Sequence, residues 1–170
     1  MQMDTLKEQI SNDNLASMDV TQFLTFQLNE DSYGIDILSI KEIVDHGSVT
    51  KVPMMPDFIA GVINLRGNVV PVVDLALRFS QQPSLRTSRS SILILEHQYE
   101  EQKLEIGITV DVVNEVLDIL AGDIEQAPSF GTKIRTDFIA GMGKLNKKLL
   151  VLLNIETILK VTELSEVEIH

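Results

Sequence analysis

Phe58-Ile59-Ala60-Gly61 recurs as Phe138-Ile139-Ala140-Gly141, 80 positions further along the chain. The same spacing carries Leu65 onto Leu145, Val69-Val70 onto Leu149-Leu150, and Asp74-Leu75 onto Asn154-Ile155. Upstream, Gly34-Ile35 matches Gly107-Ile108, Glu42 matches Glu115 and Asp45 matches Asp118, at a spacing of 73. The two spacings differ by loop length between matched strands. Self-similarity at a fixed offset, with elements in one order, is the signature of a repeat. The chain therefore reads as two copies of one unit.

Each copy is rich in short strands. Leu24, Phe26 and Leu28 alternate with Thr25 and Gln27, and Tyr33, Ile35 and Ile37 alternate with Gly34 and Asp36. That period of two, broken by a turn over Asn29 to Ser32, predicts a hairpin. Ile40 to Val44 continue as an extended or briefly helical segment. Ile59 to Leu65 and Val69 to Leu75 form a second hairpin, closed by Arg66-Gly67-Asn68, where Gly67 supplies the positive φ of a tight turn. Pro71 points to an edge or a bulge. One helical turn is expected over Asp74 to Phe79, and another over Ile155 to Val161. In the second copy, Ile92 to Leu95 and Ile106 to Val110 pair across the charged stretch Glu96 to Glu105. Ile139 to Leu145 pair with Leu149 to Leu153.

We expect a tail over 1–20, an ordered region over 21–160 and a C-terminal tail over 161–170. The ordered region divides near 21–86 and 87–160, with exchange of strands between the halves allowed. A unit of about 60 residues buries only about 60% of its unfolded surface, so the halves should share a core. Closure of each half into a barrel removes exposed strand edges.

Composition narrows the function. The 170 residues are 44% hydrophobic and 23% charged, with a formal net charge of -11. So acidic a chain repels phosphate backbones and anionic lipid, which argues against nucleic acid or a membrane surface as direct partner. Arg78, Arg86 and Arg89 form the best basic patch, read more simply as part of a solvated linker over Gln81 to Ser90. Cysteine is absent, which removes disulfides and thiolate chemistry. No apolar run approaches the ~20 residues of a membrane span, and no basic-then-apolar signal pattern opens the chain. A soluble, cytoplasmic protein is expected.

Catalytic constellations are missing. His46, His97 and His170 stand in a turn, a charged loop and the terminus, with no metal-binding spacing. There is no nucleophile elbow, P-loop or dinucleotide fingerprint. Asp36, Asp74 and Asp111 lie near strand ends, where capping is commoner than acid–base work. No cofactor or metal is expected, and the chain reads as a non-enzyme.

Several segments resemble the CheW family of chemotaxis coupling proteins. They are Tyr33-Gly34-Ile35-Asp36-Ile37, Ile40-Lys41-Glu42-Ile43, Phe58-Ile59-Ala60-Gly61 and the stretch from Asn64-Leu65-Arg66-Gly67-Asn68 to Val73-Asp74-Leu75. Gln126-Ala127-Pro128-Ser129-Phe130 and Leu152-Leu153-Asn154-Ile155-Glu156 extend the likeness over about residues 21 to 160. The resemblance implies two SH3-like five-stranded barrels around a common core. It implies a bridge between the cytoplasmic tips of methyl-accepting receptors and the regulatory domain of the histidine kinase CheA, in membrane-associated arrays, with further CheW copies possible in rings. A CheW-like adaptor of a non-flagellar pathway would use the same contact chemistry. The competing class, a small-ligand-binding or hydrolytic barrel, requires a deep polar pocket.

Arg66 heads the candidate binding residues, because a hairpin tip exposes a long cation beside Gly67. Glu42 follows. By resemblance the matching Glu and Arg matter for function and are able to pair. Ile40, Gly61, Asn64 and Gly67 also stand among the candidate binding residues. Ile40 is equally readable as core, and Gly61 as a close backbone approach, since Gly141 is its mate. Phe130 is a weaker candidate for the second barrel's interface. Positions shared by the copies read as barrel-building. Those that differ, such as Arg66 against Asn146, are freer to carry separate contacts.

Overall fold

A computed structural model describes residues 19–47, 49–79, 81–83, 87–128, 134–145 and 148–160. The strands are β1 (Val20–Leu28), β2 (Asp31–Asp36), β3 (Ile40–Asp45), β4 (Ile59–Leu65), β5 (Asn68–Asp74), β6 (Ser91–Tyr99), β7 (Gln102–Val110), β8 (Val112–Leu120), β9 (Ile124–Glu125), β10 (Ile139–Leu145) and β11 (Lys148–Leu153). Two single-turn helices follow the late hairpins: α1 (Leu75–Arg78) and α2 (Ile155–Ile158). The fold is mostly β, as the alternation predicts.

The two sheets are not the two halves of the chain. One sheet runs β8-β1-β2-β11-β10-β9, the other β3-β6-β7-β5-β4. Each repeat therefore gives its first hairpin to one sheet and its third strand and second hairpin to the other. The cross-pairing is the same twice over. β5 lies parallel to β7 with Val72 opposite Gly107, and β11 lies parallel to β2 with Leu152 opposite Gly34. A cut near residue 86 separates the repeats, whereas each sheet takes strands from both sides of it. The first sheet counts six strands rather than five because Ile124–Glu125 pair with β10. The matching place in the second sheet is the single bridge Thr50–Val62.

The shared word Phe-Ile-Ala-Gly encodes a local shape. In both copies the register slips by one at the alanine: Ile59 faces Val73 and Gly61 faces Val72, while Ile139 faces Leu153 and Gly141 faces Leu152. Such a bulge bends and twists a strand, which helps a short sheet curl. After each hairpin a side chain caps the helix that follows. Asp74 Oδ1 accepts from Leu77 N at 3.2 Å, and Asn154 Oδ1 accepts from Thr157 N at 3.3 Å.

Strand alternation feeds three apolar clusters. Phe23, Ile119, Leu150 and Leu152 fill the barrel of the sheet that starts with β8, and Val70, Val72, Ile92 and Ile94 fill that of the sheet that starts with β3. Between them lies the shared core, with Phe26, Leu28, Ile35, Leu75, Leu93, Leu95, Ile108 and Phe138 all fully buried. On β6 the odd and even residues divide cleanly, Ile92 and Ile94 to the barrel, Leu93 and Leu95 to the shared core. Each such side chain contributes about 1.5–3 kcal/mol on burial. An aromatic run, Phe26–Tyr33–Phe79–Phe138, crosses the shared core with centroid steps of 6.0, 5.6 and 5.7 Å. Neither barrel can keep this core alone, so the halves fold as one.

The sequence reading erred at the hairpin joining β6 and β7. The charged stretch Glu96 to Glu105 is mostly strand, paired out to Tyr99–Gln102. His97 is accordingly buried in β6, not in a loop. Charges on the outward positions disguised a strand whose inward positions are Leu95 and His97.

Candidate protein-binding site

The β4–β5 turn carries the leading candidate. Arg66 (φ 52) and Gly67 (φ 87) are both left-handed, the geometry of a two-residue type I′ hairpin. Glycine or asparagine is the usual choice at both positions, so an arginine at the first one is the less comfortable residue there. Asn64 stabilises the turn, its Oδ1 accepting from Gly67 N at 2.9 Å. An alanine at 67 would meet no neighbouring atom.

Arg66 reaches from this tip to β3, the far edge strand of the same sheet. Its Nη1 donates to Glu42 Oε2 at 3.0 Å, and Nη2 lies 2.9 Å from Oε1. The pair links the two edges of this sheet, β3 and the β4–β5 hairpin. The arginine side chain stays 62% exposed and Glu42 28%, so the pair is accessible to a partner. Hydrogen bonding from Arg66, opposed by partial desolvation, holds the Glu42 carboxyl below the usual glutamate range. The same bond raises the arginine further.

Sequence reasoning missed the ion cluster beside this pair. Glu96 and Glu105 face each other directly across β6 and β7. Lys41 bridges them, its Nζ 2.5 Å from Glu105 Oε1 and 3.6 Å from Glu96 Oε1. Its hydrogen bond to Glu105 raises its pKa, against a smaller opposing desolvation. Two like charges in facing register call for a cation, but the register becomes visible only once the hairpin turn is placed at residues 100–101. Exposed apolar side chains lie on the elements that carry these charges. Leu38 and Val69 are 90% and 71% exposed, Ile43 47%. Val69 stands cross-strand from exposed Asn64.

The remaining candidates divide. Ile40 is half-buried against the shared core. Gly61 is buried, with φ +150, and a Cβ there would lie 2.2 Å from the Thr50 carbonyl oxygen. Its role is to let the Thr50 segment cross β4, where Thr50 N donates to Val62 O at 2.9 Å and Val62 N to Thr50 O at 2.8 Å. Phe130 lies outside the described residues, as do Asn146 and Arg86. Arg78 does not belong to a surface basic patch. It is buried against Phe58 and Phe138, because α1 turns it into the shared core.

The three carboxylates considered for acid–base work hold backbone instead. Asp36 Oδ1 accepts from Leu38 N at 2.9 Å, Asp111 Oδ2 from Asn29 N at 2.8 Å, and Asp74 caps α1. A hollow of about 540 Å³ lies between the Lys51–Asp57 loop and α1. Among the described residues that line it, the carboxylates are Asp57 and the capping Asp74. Among the described residues, no three His, Asp or Glu side chains converge as metal ligands, and no helix is long and apolar enough to cross a membrane.

Comparison with known proteins bears on the family and the fold. Residues 22–163 match the CheW-like domain family. The chain is 38% identical over 147 residues to the chemotaxis protein CheW of Klebsiella aerogenes, covering 86% of each chain. It is 33% identical over 142 residues to the CheW of Helicobacter pylori, covering 84% of this chain and 83% of that one. The crystal structure of the scaffolding protein TtCheW from Thermoanaerobacter tengcongensis superposes with a TM-score of 0.74 at 36% identity, covering 82% and 88% of the two chains.

Proposed function

The chain belongs to the CheW family of chemotaxis scaffolds, and from that premise we propose that it couples methyl-accepting chemoreceptors to the histidine kinase CheA. The chain is a non-catalytic adaptor. In this reading it works in the cytoplasm, at receptor arrays, and carries control of the kinase through contact alone. Two barrels on one rigid core supply two faces, which is what a bridge requires. Weak faces suffice, because an array multiplies them by avidity.

The observation that carries this reading is the Arg66–Glu42 pair. It is exposed, it occupies a turn position that favours glycine or asparagine, and it belongs to one barrel only, since position 146 carries asparagine. Exposed pairs contribute little to folding, so a pair kept at this cost in backbone comfort points to a contact outside the chain. Ile40 flanks the pair, Asn64 and Gly67 shape its turn, and Lys41 and Val69 extend the surface.

Arg66→Glu tests the assignment. It should abolish measurable binding to receptor tips or to the kinase regulatory domain, while leaving the melting temperature within about 2 °C of the unaltered protein. Equal losses in stability and in binding would make Arg66 a structural residue and sink the assignment.

A further inference from the structure

Arg78 is a charged side chain placed where the two barrels meet. It ends α1 and is only 8% exposed. Its guanidinium carbon lies 5.0 Å from the Phe58 ring centroid and 4.7 Å from that of Phe138. Those two rings are repeat mates. Each also anchors the helix of its own copy, for Asp74 N donates to Phe58 O and Asn154 N to Phe138 O, both at 2.7 Å.

The third contact is equally placed. Arg78 Nε donates to the Ile158 carbonyl oxygen at 2.9 Å. Ile158 holds in α2 the position that Arg78 holds in α1, 80 residues away. One guanidinium thus touches both copies of the repeated phenylalanine and the C-terminal end of the opposite helix. Phe58 and α1 flank the hairpin of the second sheet, and Phe138 and α2 flank that of the first. The side chain therefore reaches from one barrel to the other, between repeat-related residues. A second cation at position 158 would set like charges together there, and the chain carries isoleucine.

We propose that Arg78 is the positioning residue that sets the angle between the barrels, and through it the spacing of the two binding faces; this second step rests on the coupling function proposed above. Apolar side chains alone permit sliding, because burial has no preferred direction. A planar guanidinium with a directed N–H and a ring contact from each copy fixes both distance and rotation. A bridge that binds one partner per barrel depends on that rotation, while binding to either partner alone does not.

The absence of cysteine allows a direct measurement. Gln98→Cys on β6 and Asn114→Cys on β8 place one spin label on each sheet at exposed sites. Pulsed dipolar spectroscopy should give a narrow distance distribution with Arg78 present and a broadened or shifted one in Arg78→Met. Affinity for the isolated kinase regulatory domain, and for receptor tips alone, should stay within about twofold, while capture of both together falls about tenfold. An unchanged distribution in folded Arg78→Met overturns the clamp. A broadened distribution with joint capture intact overturns its link to bridging. Should Arg78→Met not fold, Phe58→Leu removes one ring, keeps the guanidinium and its bond to Ile158, and is held to the same two outcomes. If the unaltered protein binds neither partner, the coupling function fails instead, and the distance measurement still judges the clamp.

Discussion

Replacing Gly61 by alanine puts a Cβ 2.2 Å from the Thr50 oxygen, 2.8 Å from its carbon and 2.9 Å from Val49 Cγ1. The first two are backbone atoms, so no rotamer change relieves the clash. The Thr50 segment must move off β4 and give up its two hydrogen bonds with Val62, at 2.9 and 2.8 Å. Each such bond is worth about 0.5–1.5 kcal/mol net. The backbone at φ +150 adds strain of about 1–3 kcal/mol for any residue with a Cβ. The expected loss is about 4 kcal/mol, or a fall in melting temperature of roughly 8–16 °C for a chain of this size. Two glycines serve as internal controls. At Gly141, the repeat mate, the near contact is Ile124 Cγ2 at 2.6 Å, with Glu125 O at 3.2 Å. A side chain can yield, so Gly141→Ala should cost about 1–3 kcal/mol. At Gly67 nothing lies within 4 Å, leaving only the left-handed backbone cost of about 1–2 kcal/mol. Urea melts at constant m-value read this order directly. If Gly61→Ala is no worse than Gly67→Ala, the bulge-and-crossing account of the repeated word is wrong.

Other outcomes follow from the same contacts. Asp74→Ala and Asn154→Ala each remove a helix cap and should cost about 1 kcal/mol in chemical melts; a large difference between them would contradict the equivalence of the two copies. Phe138→Ala empties the centre of the shared core and should cost about 3–5 kcal/mol, with one cooperative transition by fluorescence and by circular dichroism. Two separate transitions would mean that the barrels fold independently. The Glu42 carboxyl is lowered in the folded state, so its part of the ion pair is complete above the ordinary glutamate range and is lost as pH falls through its folded value. Lys41 and Arg66 are raised, and their parts are lost only as pH rises past their folded values; the cluster therefore holds across neutral pH. Carboxyl NMR titration should show the Glu42 midpoint rising in Arg66→Ala, and an unmoved midpoint would refute the pairing.

Much of the fold was legible in the chain because its repeat is written twice. Phe-Ile-Ala-Gly marks the same bulge in both copies, and the residue after each hairpin, Asp74 or Asn154, marks the same cap. An exchange of strands between the halves was allowed for, but which strands exchange was not legible. Gly34 meets Leu152 and Gly107 meets Val72 across more than one loop, and alternation along a strand says which face is apolar without saying which strand lies beside it. Charge misled twice. Glu96, Lys103 and Glu105 suggested a loop where outward strand positions simply carry charges. Arg78 suggested a surface cation, though its guanidinium is covered by two phenylalanines. At the site, Arg66 was legible as a hairpin tip, whereas its pairing with Glu42 was implied only by the family resemblance and is a contact of the fold. Lys41 was not, because its two partners come together only through the β6–β7 register.

The coupling function itself is tested by reconstitution. Receptor-containing membranes and CheA are mixed with and without this protein, and kinase autophosphorylation is followed. The account predicts stimulation that is reversed by receptor ligand, is absent with Arg66→Glu, and accompanies binding to the kinase regulatory domain. No stimulation, together with no binding to that domain, would contradict it.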